Sequence, residues 1–189
     1  MTARRVLGFG AMAIVLGAIG WALFVGLPRA YRPRPVALPP PAPAAAAPGR
    51  RIKARLFYVS EDGTRLTGIE RDVPYGDGAA AQAQAIIKAQ LAPPAAPNIS
   101  AVPAGTTLRA LYLTSNGAAY VDLSREVVNA HPGGSLDELL TIYSIVNALT
   151  MNLPAVTSVQ VLVDGKETDT LAGHVDLRRP LTKNVSWVE

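Results

Sequence analysis

Asp122 and Ser124 close a β-forming run, Ala119-Tyr-Val-Asp-Leu-Ser124, and Glu126 follows directly. With a histidine, these carboxylates and this hydroxyl could be assembled for hydrolysis, the serine as nucleophile and the imidazole as its base. Ser124 or Ser144 would serve as the hydroxyl, and His131 or His174 as the imidazole, these being the two histidines of the chain. The local pattern argues against it. No G-x-S-x-G elbow is present, and neither histidine stands at a spacing that suggests a pair. Without an H-x-x-x-H spacing or any cysteine, a metal site has little to build on, and no glycine-rich phosphate loop occurs. The adjacent carboxylates Glu61-Asp62 and Asp137-Glu138 read as solvated caps on a turn and on a first helical turn. Asp122, Ser124 and Glu126 read as turn-capping residues, bonded in the manner of Asx and serine turns. As a site they would make a small acidic patch beside Asn147. Asn147 lies inside an apolar helix, where its amide must find partners in a neighbouring loop or strand end. The candidate interaction or structural residues are therefore Asp122, Ser124, Glu126, Asn147 and His174. No catalytic residue, metal ligand or cofactor is expected.

The elements that must hold these residues centre on Gly133–Pro154, which reads as one long helix. Ser135 is its N-cap, and Glu138, three residues on, completes a capping box. Leu136, Leu139, Leu140, Tyr143 and Val146 share one face; Ile142, Ile145 and Leu149 widen it until only Thr141, Ser144 and Asn147 stay polar. Such a helix cannot face water and must lie on a sheet. Upstream, Ile52, Ala54, Leu56 and Tyr58 alternate with Arg51, Lys53, Arg55 and Phe57 as in a half-buried strand. Ser60–Gly63 turns the chain, and Leu66–Val73 returns with Thr67, Ile69, Arg71 and Val73 on one face. Ala79–Leu91 is a helix with Ala83, Ile86, Ile87 and Leu91 inward and Gln82, Gln84 and Lys88 elsewhere; Pro93 and Pro94 end it. Leu108–Leu113 and Ala118–Leu123 form a hairpin through Asn116-Gly117. A two-residue turn there pairs Leu113 with Tyr120 and Tyr112 with Val121. Val159–Val163 is a buried strand, His174–Leu177 a short segment, and Asn184–Val188 a last strand. The sum, ββαββαβ(β), is an α+β two-layer sandwich of one sheet beneath two helices.

Bulk composition narrows the function classes. The 189 residues carry a net charge of +4 and a pI near 9.6. Seven of the 18 basic residues precede Ile52 and all 14 acidic ones follow it, so residues 52–189 are formally −3. Basicity is thus confined to the N-terminal region, and no nucleic-acid partner is expected. Val6–Leu27 holds 22 uncharged residues, about 33 Å as a helix, enough to span a bilayer. The run exceeds a signal peptide's apolar core, and no small-x-small site follows promptly, so residues 6–27 read as an uncleaved signal anchor in the lipid bilayer. Residues 1–5 become a cytoplasmic tail. Positive charge flanks both ends and does not fix the orientation; the expected placement has the C-terminal part outside the cytoplasmic membrane. Residues 28–50 contain eight prolines and read as a polyproline-II-like spacer, about 70 Å if extended. Residues 51–189 are the folded domain.

Several strings in that domain, in order, resemble the GerMN domain of sporulation and germination proteins. They are Pro103-Ala-Gly-Thr-Thr-Leu108, Ala119-Tyr-Val-Asp-Leu-Ser124, Gly133-Gly-Ser135, Leu140-Thr-Ile-Tyr-Ser-Ile-Val-Asn147 with Leu149-Thr150, Val159–Gly165, and Gly173-His-Val-Asp-Leu177. The resemblance covers about residues 51–180. It implies a non-enzymatic role at the bacterial cell envelope, in sporulation or envelope assembly. With no cysteine for lipid attachment, anchoring falls to Val6–Leu27. The expected function is a membrane-anchored binding or scaffolding module with an envelope protein or cell-wall partner. The competing expectations are a wall-active or small-molecule enzyme using Asp122, Ser124 and Glu126 with a histidine, and a homo-oligomer assembled through an exposed edge strand.

Overall fold

The structure, a computed structural model, describes residue 21 and residues 49–189. The tail at 1–5, the anchor run at 6–27 apart from Trp21, and the spacer apart from Gly49 and Arg50 lie outside the described residues. Among those described, no helix is long and apolar enough to cross a membrane.

Within residues 49–189, seven strands and three helices follow in the order β1 (Arg51–Val59), β2 (Leu66–Pro74), α1 (Ala79–Leu91), β3 (Leu108–Leu113), β4 (Ala118–Leu123), α2 (Glu126–Asn129), α3 (Ser135–Asn152), β5 (Ser158–Val163), β6 (Lys166–Glu167) and β7 (Leu181–Thr182). The fold is mixed α+β, but the single sheet expected from the sequence is two. β1 and β2 pair only with each other, antiparallel, while β3-β4-β5-β6 form a second sheet in which β7 also pairs with β5. The strands β4 and β5 run parallel, Ala118 opposite Ser158 through Leu123 opposite Val163, and α3 supplies the crossover that a parallel pair requires.

The helix α3 is the centre of the core. Leu140, Ile142, Ile145, Val146, Ala148 and Leu149 are buried, together with Thr141, Ser144 and Asn147. It packs against β1, β5, β7 and α1, so apolar burial extends round the helix rather than along one stripe. Each fully buried leucine or isoleucine contributes about 1.5–3 kcal/mol on that account. Its N-terminus differs from the capping box expected. Gly134 precedes the first turn, no side chain caps it, and Glu138 turns inward with no solvent exposure.

The hairpin β3–β4 forms over the residues expected, in a register shifted by one. Leu113 pairs with Ala119, Tyr112 with Tyr120 and Leu111 with Val121. The loop holds three residues, Ser115-Asn116-Gly117: Thr114 N–H donates to Ala118 C=O at 2.9 Å and Gly117 N–H to Thr114 C=O at 3.1 Å. Gly117 takes the positive φ of 86° that this loop demands. A Cβ there would sit 2.9 Å from Ala155 O and from Thr157 Oγ1, because β5 starts against the turn. A slip of one residue exchanges the faces of a strand, so Leu111 and not Tyr112 stands opposite Val121; Leu111 is buried and Tyr112 is 61% exposed. The tail also differs. Its strand is Leu181–Thr182, pairing with Val159 and Ser158, while within Asn184–Val188 only Val188 bridges to a strand, at Leu66.

The outer edge of β1 is closed by side chains. Asn152, at the end of α3, accepts from Arg55 N–H at 2.8 Å and donates to Arg55 C=O at 2.7 Å. Gln90 of α1 does the same for Phe57, at 2.9 and 2.7 Å. Val59 N–H donates to Ile99 C=O at 2.9 Å. Two carboxamides and one loop carbonyl thus stand where a neighbouring strand would. Gln82, expected away from the core, is also buried and accepts from Gly76 N–H at 2.9 Å. Replacing Gln90 by leucine keeps the volume but leaves the Phe57 amide and carbonyl unpaired. Urea denaturation is expected to show a loss of about 2–4 kcal/mol, with a smaller loss for Asn152→Ala, whose site is open to water.

Candidate functional site

The sequence candidates fall at three separate places. The first is the carboxyl end of the parallel pair β4–β5, where open sheets with crossover helices commonly bind ligands. Asp122, near the end of β4, is 6% exposed. Its Oδ1 accepts from Gly165 N–H at 2.7 Å, and its Oδ2 takes Arg109 Nε at 3.2 Å. Arg109 also reaches Asp164 Oδ1 at 3.4 Å, and Arg125 reaches Asp164 Oδ2 at 3.8 Å. Asp164 occupies the turn after β5 with φ of 51°, a conformation that aspartate tolerates better than most side chains. Two arginines and two aspartates thus lock the ends of β3, β4 and β5, leaving no formal charge over.

Ser124 and Glu126 lie beside this network. Ser124 Oγ accepts from Thr107 N–H at 3.0 Å, and its hydroxyl is directed at Glu126, holding that carboxyl below its ordinary range. The hydroxyl therefore serves the loop before β3 and the start of α2, a short helix that the sequence reading had left out. Beyond Thr107 lies a hollow of about 580 Å³, walled by Leu91, Pro93, Val102, Pro103 and Leu108 with Lys88 among its lining residues.

The second place is Glu138, read from sequence as a solvated cap and found wholly buried. Its Oε1 accepts from Leu171 N–H at 2.7 Å. Its Oε2 accepts from His174 N–H at 2.8 Å and meets His174 Nδ1 at 3.2 Å. Burial alone would push the carboxyl up, but the backbone amides of Ala172, His174, Leu171 and Val175 hold it below its ordinary 4.5. An anion cradled by successive amides is how a loop without regular structure is fixed to a helix. His174 is part of that cradle. The other histidine, His131, accepts from Gly133 N–H through Nδ1 at 3.0 Å, and its Nε2 lies 3.3 Å from Thr141 Oγ1. That hydroxyl in turn donates to Ala101 C=O at 2.6 Å.

The third place is Asn147, whose Nδ2 donates to Asn184 C=O at 2.8 Å and whose Oδ1 accepts from Asn184 N–H at 3.1 Å. Among the described residues no hydrogen bond joins Asp122, Ser124 or Glu126 to Asn147 or to either histidine. Nor do three metal-donor side chains converge. What the sequence reading missed, Glu138, Arg109 and Asp164, shares one trait: each acts through a partner distant in sequence. The Asp164-Gly165 turn was the one local sign.

The family model described as Germane, sporulation and spore germination, matches residues 55–169. Among solved structures, the tandem GerMN domains of the sporulation protein GerM from Bacillus subtilis align with a TM-score of 0.55 and 18% identity, over 70% of this chain and 46% of that one. The chain thus spans less than half of that two-domain protein. The first GerMN domain of the same protein aligns at 0.50 and 17% identity, over 70% and 96%. A candidate lipoprotein from Clostridium perfringens aligns at 0.50 and 22% identity, over 71% and 89%. At these identities the structural likeness establishes the fold. No curated protein matches.

Two substitutions probe these arrangements. Asp122→Ala removes two charge-assisted bonds and is expected to cost about 1.5–3 kcal/mol by chemical denaturation. Glu138→Gln should cost about 2–3 kcal/mol near neutral pH, because a neutral amide is a weaker acceptor for the cradle's N–H groups. Folding lowers the Glu138 carboxyl, so its contribution is complete above pH 4.5 and is lost as pH falls through the lower folded value. Stability measured against pH should therefore show the gap between wild type and Glu138→Gln narrowing in acid.

Proposed function

The chain belongs to the Germane family of sporulation and spore germination domains, and from that membership we propose that it is a non-catalytic binding or scaffolding module of the bacterial cell envelope. In this reading residues 6–27 anchor it in the cytoplasmic membrane, residues 28–50 stand it off the surface, and residues 51–189 face the extracytoplasmic space. The partner is an envelope protein or the cell wall. The observation that carries the reading is how the candidate polar residues are engaged: Asp122 holds Gly165, Ser124 holds Thr107, Asn147 holds Asn184 and Glu138 holds Leu171 and His174. Each is turned toward the protein's own backbone rather than toward a shared cleft.

The uncharged stretch Val6–Leu27 supports the anchoring. The lipoprotein description of one structural relative supports an envelope setting. The family's description names processes, sporulation and germination, and not a reaction.

Membrane fractions from cells producing the full chain provide the test. The chain is expected to stay with the membrane through a carbonate wash and to leave it with detergent. Protease added to spheroplasts should remove the domain while sparing a cytoplasmic control. A chain that washes off in carbonate, or survives protease until the spheroplasts are lysed, would refute the placement.

A further inference from the structure

We propose that the free edge of β2 accepts an extended segment of another protein as an added strand, with lysine or arginine at the positions facing Glu70 and Asp72. The inference rests on the reading of the chain as a binding module and gives that module a surface and a class of partner.

The argument begins from backbone accounting. In an antiparallel pair, alternate residues direct N–H and C=O toward the partner strand and the rest direct them away. Arg55, Phe57 and Val59 bond outward to Asn152, Gln90 and Ile99. They stand opposite Glu70, Gly68 and Leu66, so Leu66, Gly68, Glu70 and Asp72 point away from β1 on the other edge. There the groups are satisfied only at the start. Leu66 N–H donates to Trp187 C=O at 2.7 Å, and Leu66 C=O accepts from Glu189 N–H at 3.0 Å. Asp72 C=O takes Arg51 Nη2 at 2.7 Å. The N–H groups of Gly68, Glu70 and Asp72 and the C=O groups of Gly68 and Glu70 have no partner among the described residues. Residues 187–189 pair with Leu66 alone, in the parallel sense.

Charge selects the occupant. Glu70 is exposed and forms no ion pair among the described residues, while Asp72 is held by the exposed Lys53 at 2.9 Å. A second copy pairing antiparallel about Glu70 would set that carboxylate against its own image, and pairing about Arg71 would set Glu70 against Asp72. Like charges directly opposite are destabilising. Pairing about Ile69 would bring Asp72 of the second copy to Leu66, where residues 187–189 already lie. A foreign strand with basic residues meets none of these objections. A hollow of about 480 Å³ is lined by Glu70, Arg71 and Asp72 of β2 together with Tyr58 of β1, Pro93 and Pro94. Added strands draw affinity from main-chain bonds and specificity from side-chain pockets.

The experiment uses the full-length, ¹⁵N-labelled chain in lipid nanodiscs and the probe acetyl-Thr-Lys-Val-Lys-Val-Thr-amide. Saturable shifts are expected at Gly68, Glu70 and Asp72, with their amide exchange slowed about ten-fold or more. The same peptide N-methylated at alternate amides, or carrying glutamate for lysine, should bind several-fold more weakly. Glu70→Lys should weaken the parent peptide without changing the melting temperature. Shifts confined elsewhere, indifference to N-methylation, or indifference to Glu70→Lys would overturn the proposal. So would protection of these three amides in the peptide-free chain; if that protection grows with protein concentration, a second copy holds the edge. Should the edge fail while the membrane and protease assays place the domain outside the cell membrane, the edge inference falls and the envelope reading stands.

Discussion

A helix buried on nearly every side imposes a constraint that the remainder of the domain must meet: each polar group it takes inside has to be matched. In α3 these groups are Glu138, Thr141, Ser144, Asn147 and, at its end, Asn152. Ser144 is answered within the helix, by Thr141 C=O at 2.7 Å. The others are answered from outside it, by the loop at 171–174, by Ala101, by Asn184 and by Arg55 of β1. Four stretches with little sequence in common are thus positioned by one helix. An unpaired buried carboxylate or carboxamide would cost several kcal/mol, so these contacts fix where the loops lie even though the apolar contacts supply most of the cohesion.

The same constraint explains why the candidate residues lie apart. A catalytic constellation needs its donors and acceptors unspent and converging. Here Asp122 is committed to Gly165 and Arg109, and His174 to Glu138, on different loops. The end of the β4–β5 pair is a customary place for ligands in sheets with helical crossovers, yet its four charged side chains are bound to one another. Backbone groups on one side of the small hairpin, by contrast, have no partner among the described residues.

Local pattern made much of this architecture readable. The alternation in β1, the apolar spacing in α1 and the long run of α3 each report a periodicity contained within one element, and those elements form where expected. The features that escaped depend on pairings across the chain. Glu138 follows a serine at the spacing of a capping box, and nothing near it announces a loop 33 residues away. Gln90 looks like a solvated helix residue until the edge of β1 is laid beside it. The β3–β4 register turned on whether the Asn-Gly loop held two residues or three, and the beginning of β5, packed on Gly117, accompanies the longer form. For the candidate site, residue types were legible and company was not.

The bond between Leu66 and residues 187 and 189 has a kinetic corollary. The small hairpin cannot reach its final hydrogen-bonded form until some 120 further residues have been made, and β5 likewise waits for Leu181 to supply one of its neighbours. Contacts of such wide separation close late and slowly. A chain so wired is still loosely organised while it is being made, and its hairpin sets only once residues 187–189 have reached Leu66.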